Sequence, residues 1–216
     1  MNASAVKRLF WNKKFPLSSL SGGALLIIAS DRLAHAIVVL AALVWTYALV
    51  RLALFGAERF FPKKGRSILL AFLASFITGL FFFLLWLFSP FLAMQTFFVI
   101  PFILILCVSL EADNKNQARG LQGLKEGMVV SVTNALVYGA LPVIFALIRE
   151  PFGFLSLSLP GGAQGIIHLF LFEDRQYFPF RLIASSSGAL LLLGYVMGLY
   201  RHYKKIYASE EEKEDG

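Results

Sequence analysis

Cys107 is the single cysteine of this 216-residue chain and its best candidate for redox chemistry. A cysteine thiolate can bind an iron–sulfur cluster, but such a cluster generally takes four thiolates. A lone thiolate would therefore need further ligands from another chain. The alternative is packing, because an isolated cysteine in an apolar stretch is commonly a small buried side chain. The residues alone favour packing over a ligand role.

The other residues that could carry chemistry form no catalytic or metal-binding set. His168 lies in the apolar stretch Gly165–Phe172, which is too short to cross a bilayer. We expect this stretch to be interfacial or re-entrant, with the histidine as an anchor. No second histidine, cysteine or carboxylate cluster stands at the spacing of a metal site, and the serines Ser185–Ser187 have no histidine nearby. No phosphate-binding, dinucleotide-binding or nucleophile-elbow motif occurs, so the sequence predicts no catalytic residue and no metal site.

A few polar or small residues interrupt the apolar segments. Gln95, Thr133 and Asn134 are each expected to bond to a neighbouring helix rather than to a ligand. The pair Gly22–Gly23 has two interpretations, a broken helix that lines a cavity or a close contact between helices. The triplet Arg149–Pro151 is expected to end its helix at the proline and to hold its two opposite charges at the water boundary.

The composition is that of a membrane protein. Apolar residues make up 58% of the chain and charged residues 15%, with a mean hydropathy of +0.71. Soluble domains have roughly 45–50% apolar and about 25% charged residues. The apolar residues are enough to fill six membrane-spanning segments of about 20 residues each. This leaves no room for a separate soluble catalytic domain.

The apolar segments predict an all-α integral membrane protein with six transmembrane helices, because none of them alternates with the period of a strand. Residues 1–205 would form this membrane domain, and residues 206–216 an acidic, disordered tail. The third and fourth segments are separated only by Ser89–Pro90, which predicts a tight helical hairpin. Pro101 would free a backbone carbonyl that neighbouring helices must satisfy. The predicted segments are Leu17–Ala29, Leu33–Phe55, Ile68–Ser89, Phe91–Leu110, Met128–Ile148 and Leu182–Tyr200.

Charge placement predicts the orientation of these segments. With six spans, sixteen of the twenty Lys and Arg residues lie on the side that holds both termini, so both termini are expected in the cytoplasm. The basic residues before the first segment are also typical of a cleaved signal peptide, but removal of that segment would invert the charge distribution. The net charge of +7 does not predict nucleic-acid binding, because the basic residues form short clusters between apolar segments. The middle of every segment lacks charged residues, which disfavours a self-contained proton pump or ion-coupled antiporter.

Several stretches of the chain resemble a known family. Phe102–Ala112, with the polar linker that contains Asn114–Asn116, resembles the fourth span and linker of the integral membrane subunits of the Rnf and sodium-pumping Nqr electron-transport complexes. The resemblance continues through Leu121–Gly127 and reaches Ala146–Glu150, which is similar to the family's A-I-R-E motif. It covers nearly the whole chain, but its specific motifs lie between residues 100 and 155.

The resemblance implies a fold and a cofactor. Family members are inverted repeats of three plus three helices, and their first and fourth helices each supply one cysteine. Two paired subunits thereby hold a [2Fe–2S] cluster. Cys107 matches the cysteine of the second half, whereas Gly22 or Gly23 stands at the first-half position, so that ligand is missing here.

The resemblance also implies a location and a role. Cytoplasmic termini fit the subunit called E in Rnf and D in Nqr, in the bacterial cytoplasmic membrane. The chain would then be at most a non-catalytic subunit of an electron-transport oxidoreductase. Its partners would be other integral membrane subunits and the lipid bilayer.

Two other functions stay open from the residues. A six-helix substrate-binding subunit of a vitamin-type uptake transporter would have this size, and the 22 Phe, 7 Tyr and 3 Trp residues could line an apolar pocket. Strings such as Phe81–Phe83 argue against it, because they resemble lipid-facing surface. A structural membrane protein without a ligand is the third option.

Overall fold

The computed structural model describes residues 29, 31–57, 66–113, 121–162, 165–171, 181–185, 187–196, 198 and 202. Within this part of the chain, four helices are long and apolar enough to cross a membrane, which agrees with a mostly helical membrane protein. Six such helices were predicted. The first predicted segment except Ala29, and the acidic tail, lie outside the described residues, and the described part of the last segment contains a shorter apolar helix, Ser187–Val196.

The described elements follow one another along the chain as long helices, a two-stranded hairpin and short helices. They are α1 (Leu33–Ala57), α2 (Arg66–Phe88), α3 (Pro90–Thr96), a 3₁₀ turn (Phe97–Val99), α4 (Ile100–Asp113), α5 (Leu121–Phe154), β1 (Ser156–Pro160), β2 (Ile166–Leu171), α6 (Arg181–Ala184) and α7 (Ser187–Val196).

The first helix, α1, is the centre of the bundle. It contacts α2, α3, α4, α5 and β1, and its buried residues run along almost its whole length. A helix that is apolar on all sides is buried among other elements or spans a membrane, and α1 is the candidate span with the largest buried share. Its closest neighbour is α5, which runs antiparallel to it. A β-carbon at Gly139 would stand 3.1 Å from the Cα of Leu40, so the missing side chain lets the two backbones approach.

The predicted hairpin between the third and fourth segments is confirmed. Ser89 is the only residue between α2 and α3 that is not helical, and Pro90 follows it at the first position of α3. A proline is tolerated there because the first amide of a helix has no partner within the helix. Pro101 likewise stands in the first turn of α4, directly after the 3₁₀ turn. The chain therefore restarts its helix around this proline.

The helix α5 continues beyond the point at which the sequence predicted its end. It runs for 34 residues and contains both Pro142 and Pro151, so the expectation that Pro151 ends the helix is wrong. The helix ends at Phe154, and Leu155 adopts a positive φ of 52° while its amide donates to the carbonyl oxygen of Pro151 over 3.1 Å. A left-handed residue commonly ends a helix, but glycine usually occupies that position.

A β-hairpin follows α5, in a region where the sequence predicted no strand. The strands β1 and β2 pair in antiparallel fashion, with Ser156 opposite Leu171 and Pro160 opposite Ile166. Gly162 and Gly165 have positive φ values of 62° and 83° in the connecting loop. A β-carbon at Gly165 would fall 2.6 Å from Cδ1 of Phe91, so the loop packs directly on α3.

The apolar core lies between α1, α2 and α4. At mid-length of α1, the hydroxyl groups of the buried Thr46 and Thr78 bond to each other over 3.2 Å. By contrast, large aromatic and apolar side chains on the outer faces of α2, α3 and the 3₁₀ turn are exposed, as expected for a surface in contact with lipid. They include Phe72, Phe76, Phe83, Trp86, Phe88, Phe91, Met94, Phe97 and Phe98.

Candidate functional site

The predicted redox residue, Cys107, lies in the apolar core. It occupies α4, six residues before the end of that helix at Asp113, and its side chain is fully buried within this chain. It belongs to the same cluster as Leu106, Ile103 and Leu43. Gly22 and Gly23, which stand at the position of the missing cysteine, lie outside the described residues. A ligand role for Cys107 therefore stays a prediction.

The other predicted residues are separated in space. Gln95 bonds to a side chain of α1, which confirms the expectation that it contacts a neighbouring helix. His168 is exposed on β2, opposite Ser158 of β1, while Thr133 and Asn134 are half-buried on α5. Among the described residues, no group of three or more His, Cys, Asp and Glu could hold a metal ion.

A polar cluster that the sequence analysis did not predict lies where α1 begins and α5 ends. We call it the polar end. It draws on the start of α1, on α3, on the last turns of α5 and on β1. Its residues are Asp31, Arg32, His35, Gln95, Arg149, Glu150 and Ser158.

At the polar end, three successive backbone amides at the start of α1 are each held by a side-chain oxygen. The amide of Arg32 donates to Oδ1 of Asp31 over 2.7 Å, the amide of Leu33 to Oε2 of Glu150 over 2.7 Å, and the amide of Ala34 to Oγ of Ser158 over 3.4 Å. The first amides of a helix have no partner within the helix, and they carry the positive end of its dipole. Carboxylates are therefore well suited to cap them. Two of these three caps come from elements more than 100 residues away in the chain.

Arg149 performs the opposite role for the short helix α6. Its Nε donates to the carbonyl oxygen of Ile183 over 3.0 Å, and its Nη2 donates to that of Ser185 over 3.1 Å. The carbonyls at the end of a helix lack donors within the helix, and a cation is favourable there. Ser185 in turn accepts the amide of Gly188 at its Oγ over 3.2 Å. Arg149 thereby joins the end of α5 to the junction of α6 and α7.

Arg149 and Glu150, which were expected at the water boundary, are buried inside the chain rather than exposed on its surface. Their exposed fractions are 1% and 0%. Burial of a charged group is strongly unfavourable unless hydrogen bonds compensate it. Both residues find that compensation at the ends of other helices, which the local sequence around Pro151 could not indicate. The Oε1 atom of Glu150 has no hydrogen-bond partner within the described part of the chain.

His35 connects α1 to α3. Its Nδ1 lies 2.8 Å from Oδ1 of Asp31, and its Nε2 lies 2.7 Å from Oε1 of Gln95. Asp31 lies two residues before α1, and its carboxylate reaches His35 in the first turn of that helix. The imidazole is mostly buried, with 9% of its side chain exposed, whereas 44% of the Asp31 side chain is exposed.

The surroundings of Asp31 favour its ionised form. Burial raises the pKa of its carboxyl group, but the hydrogen bond and the charge of His35 oppose this effect. The amide of Arg32 and the more distant charge of Arg149 act in the same direction, and the pKa lies below its usual value. The guanidinium of Arg32 itself lies 5.7 Å from the centre of the Phe154 ring, a cation–π contact that joins α1 to the last turn of α5.

Part of this arrangement has a signal in the sequence. An aspartate just before an apolar helix is a typical helix start, and a histidine four residues later can reach it. The caps supplied by Glu150 and Ser158 have no such signal, because they depend on how distant elements pack.

Comparison with known proteins gives no match, either to a protein-family model or to a curated protein sequence. The resemblance described above therefore rests on the residues that carry it.

Proposed function

We propose that this chain is a divergent membrane subunit of an Rnf/Nqr-like ion-translocating electron-transport complex. It would pair with another six-helix subunit and help to carry electrons or the coupled ion across the membrane. It would itself hold no catalytic centre. Both termini would lie in the cytoplasm, which would place the polar end on the opposite side of the membrane.

The observation that supports this proposal most is the position of the segment Ala146–Glu150. This segment carries the A-I-R-E-like part of the resemblance, and three of its five residues, Ala146, Arg149 and Glu150, are almost completely buried. Its two charged residues tie α5 to α1 and to α6. A motif that connects three helices would help to preserve the helical scaffold. This would fit a chain that resembles the family although it lacks one of the family's cysteines.

Cys107 is the residue we propose as a ligand of a [2Fe–2S] cluster shared with the partner. A single thiolate of this chain would have to combine with thiolates of the other subunit. Because the thiol is enclosed by apolar side chains of its own chain, α4 would have to open toward the partner for a cluster to form.

The test is to purify the tagged full chain in mild detergent and to identify what accompanies it by mass spectrometry. We expect other Rnf/Nqr-like subunits. Iron would be measured in the same preparation for the wild type, for Cys107→Ser and for Ile103→Val as a matched control one turn earlier in α4. Loss of iron in Cys107→Ser alone would support the ligand role.

Three outcomes would contradict parts of this proposal. Recovery of ATPase subunits would favour the uptake-transporter alternative, and recovery of the chain alone would remove the support for a redox role. Equal iron in the wild type and in Cys107→Ser would exclude the thiolate as a ligand, even if the partners are recovered.

A further inference from the structure

The two contacts of His35 restrict the chemical form of its ring. The atoms that face Nδ1 and Nε2 are a carboxylate oxygen and an amide oxygen, and both are acceptors. A neutral imidazole has one N–H donor, so it can donate to only one of them. The imidazolium form has two donors and satisfies both contacts at once. A neutral ring would suit this site only if the Gln95 amide turned to present its NH₂ group.

Both partners of the ring reach the surface of the chain, and Gln95 is exposed. The Asp31 side chain is 44% exposed, whereas the His35 side chain is 9% exposed and lies behind it. A proton can therefore move between water and the ring at this surface, without crossing the apolar core.

Some charges around His35 favour a protonated ring, and others oppose it. Just before α1, Asp31 attracts a charged ring and Arg32 repels it. Gln95 of α3 contributes a dipole, and α5 contributes the opposite charges of Arg149 and Glu150. On the hairpin, Ser158 and the exposed His168 face each other across the two strands. Among the described residues, Asp31 and Gln95 bond directly to the imidazole.

We propose that His35, held between Asp31 and Gln95, is a proton-binding site at the polar end of the bundle. With the proton bound, the ring joins the start of α1 to α3 through two charge-assisted hydrogen bonds. When the proton leaves, the neutral ring keeps its remaining N–H at Nδ1, opposite the Asp31 carboxylate, and the bond from Nε2 to Gln95 is lost unless the Gln95 amide turns. The site therefore couples proton occupancy to the contact between α1 and the α2–α3 hairpin. It does not depend on the electron-transport proposal.

Nitrogen NMR of the full chain with ¹⁵N-labelled histidine can test this site, because the chain has only three histidines. His35→Gln identifies the signals of His35. At neutral pH we expect two protonated ring nitrogens for His35 in the wild type. Asp31→Asn, which keeps the shape but removes the charge, should convert the ring to one protonated and one bare nitrogen.

Two further variants separate a proton site from a merely structural contact. Gln95→Glu keeps an acceptor opposite Nε2 and should preserve the doubly protonated ring, whereas Gln95→Leu should reduce it. His168→Gln removes an exposed histidine of β2 and should leave the His35 signals unchanged. A singly protonated His35 in the wild type at neutral pH, or signals that do not respond to Asp31→Asn, would overturn the proposal.

Discussion

Around Cys107, the bundle is held by apolar contacts, whereas the polar end is held by charged side chains bonded to helix ends. Cys107 is fully buried, and Arg149 and Glu150 of the polar end are almost completely buried. Next to the core around Cys107, the hydroxyl groups of the buried Thr46 and Thr78 bond to each other. At the polar end, Glu150 and Arg149 bond to backbone groups of α1 and α6. The difference shows that the helix ends need partners for backbone groups that the helices themselves cannot satisfy.

The two regions also differ in how well the sequence predicted them. The residue with the more obvious chemistry, Cys107, lies in the region with the simpler structure. Arg149 and Glu150, whose hydrogen bonds connect α5 to α6 and α1, are the residues that the sequence predicted at the water boundary. A test of the account should therefore compare variants in the two regions directly.

The largest effect is expected for Glu150→Ala. This change leaves the buried amide of Leu33 without an acceptor and opens a cavity between α1 and α5. An unsatisfied buried group costs about 1–3 kcal/mol, and the lost volume adds to this. We expect the free energy of unfolding in mixed micelles to fall by about 3 kcal/mol. The control is Glu126→Ala, which removes an exposed carboxylate from the same helix and should change little; equal effects of the two variants would contradict a capping role for Glu150.

A smaller effect, dependent on pH, is expected for Asp31→Asn. The folded chain holds the Asp31 carboxylate ionised at a lower pH than the unfolded chain does, because its pKa is lowered. Its contribution to stability is therefore present above the usual pKa of an aspartate and is lost as the pH falls through the lowered value. Melting temperatures measured across the acidic range should fall more steeply for the wild type than for Asp31→Asn. Parallel curves would show that the carboxylate contributes nothing.

A stabilising change is expected at the end of α5. Leu155 has a left-handed backbone, which costs roughly 1–2 kcal/mol for a residue with a β-carbon. Leu155→Gly should relieve this strain and raise the free energy of unfolding by about 1 kcal/mol, less the loss from greater freedom in the unfolded chain. Leu155→Ala keeps the β-carbon and serves as the control. A glycine variant no more stable than the alanine variant would contradict the strain.

The smallest effect is expected in the core. Thr46→Val, Thr78→Val and the double variant form a thermodynamic cycle for the 3.2 Å hydrogen bond. Side-chain hydrogen bonds between helices in membranes contribute about 0.6 kcal/mol on average. A coupling energy of that size would be far smaller than the loss of unfolding free energy expected for Glu150→Ala. A larger coupling energy than the loss in Glu150→Ala would reverse the comparison between the two regions.

The apolar segments made much of the helical architecture predictable. Local composition and the residues that start or end helices predict three features: the start of α1 at Leu33, the hairpin at Ser89–Pro90 and the helical state of the long segments. The extension of α5 past Pro151 could not be predicted in this way, because tertiary contacts of Arg149 and Glu150 outweigh the local preference of proline to end a helix. The contact between Leu33 and Glu150 spans 117 residues, and no spacing rule reaches that far. Only the Asp31–His35 pair, four residues apart, could have been found from the sequence.

The cap that Glu150 places on α1 is the contact on which this account depends most, and amide hydrogen exchange measures it directly. In the wild type, the amide of Leu33 should exchange slowly, because it donates to a carboxylate with no exposed surface. In Glu150→Ala its exchange should accelerate together with that of Ala34, while amides in the middle of α2 should stay protected. Fast exchange of Leu33 in the wild type, or an unchanged rate in the variant, would contradict the claim that the polar end holds α1 to α5.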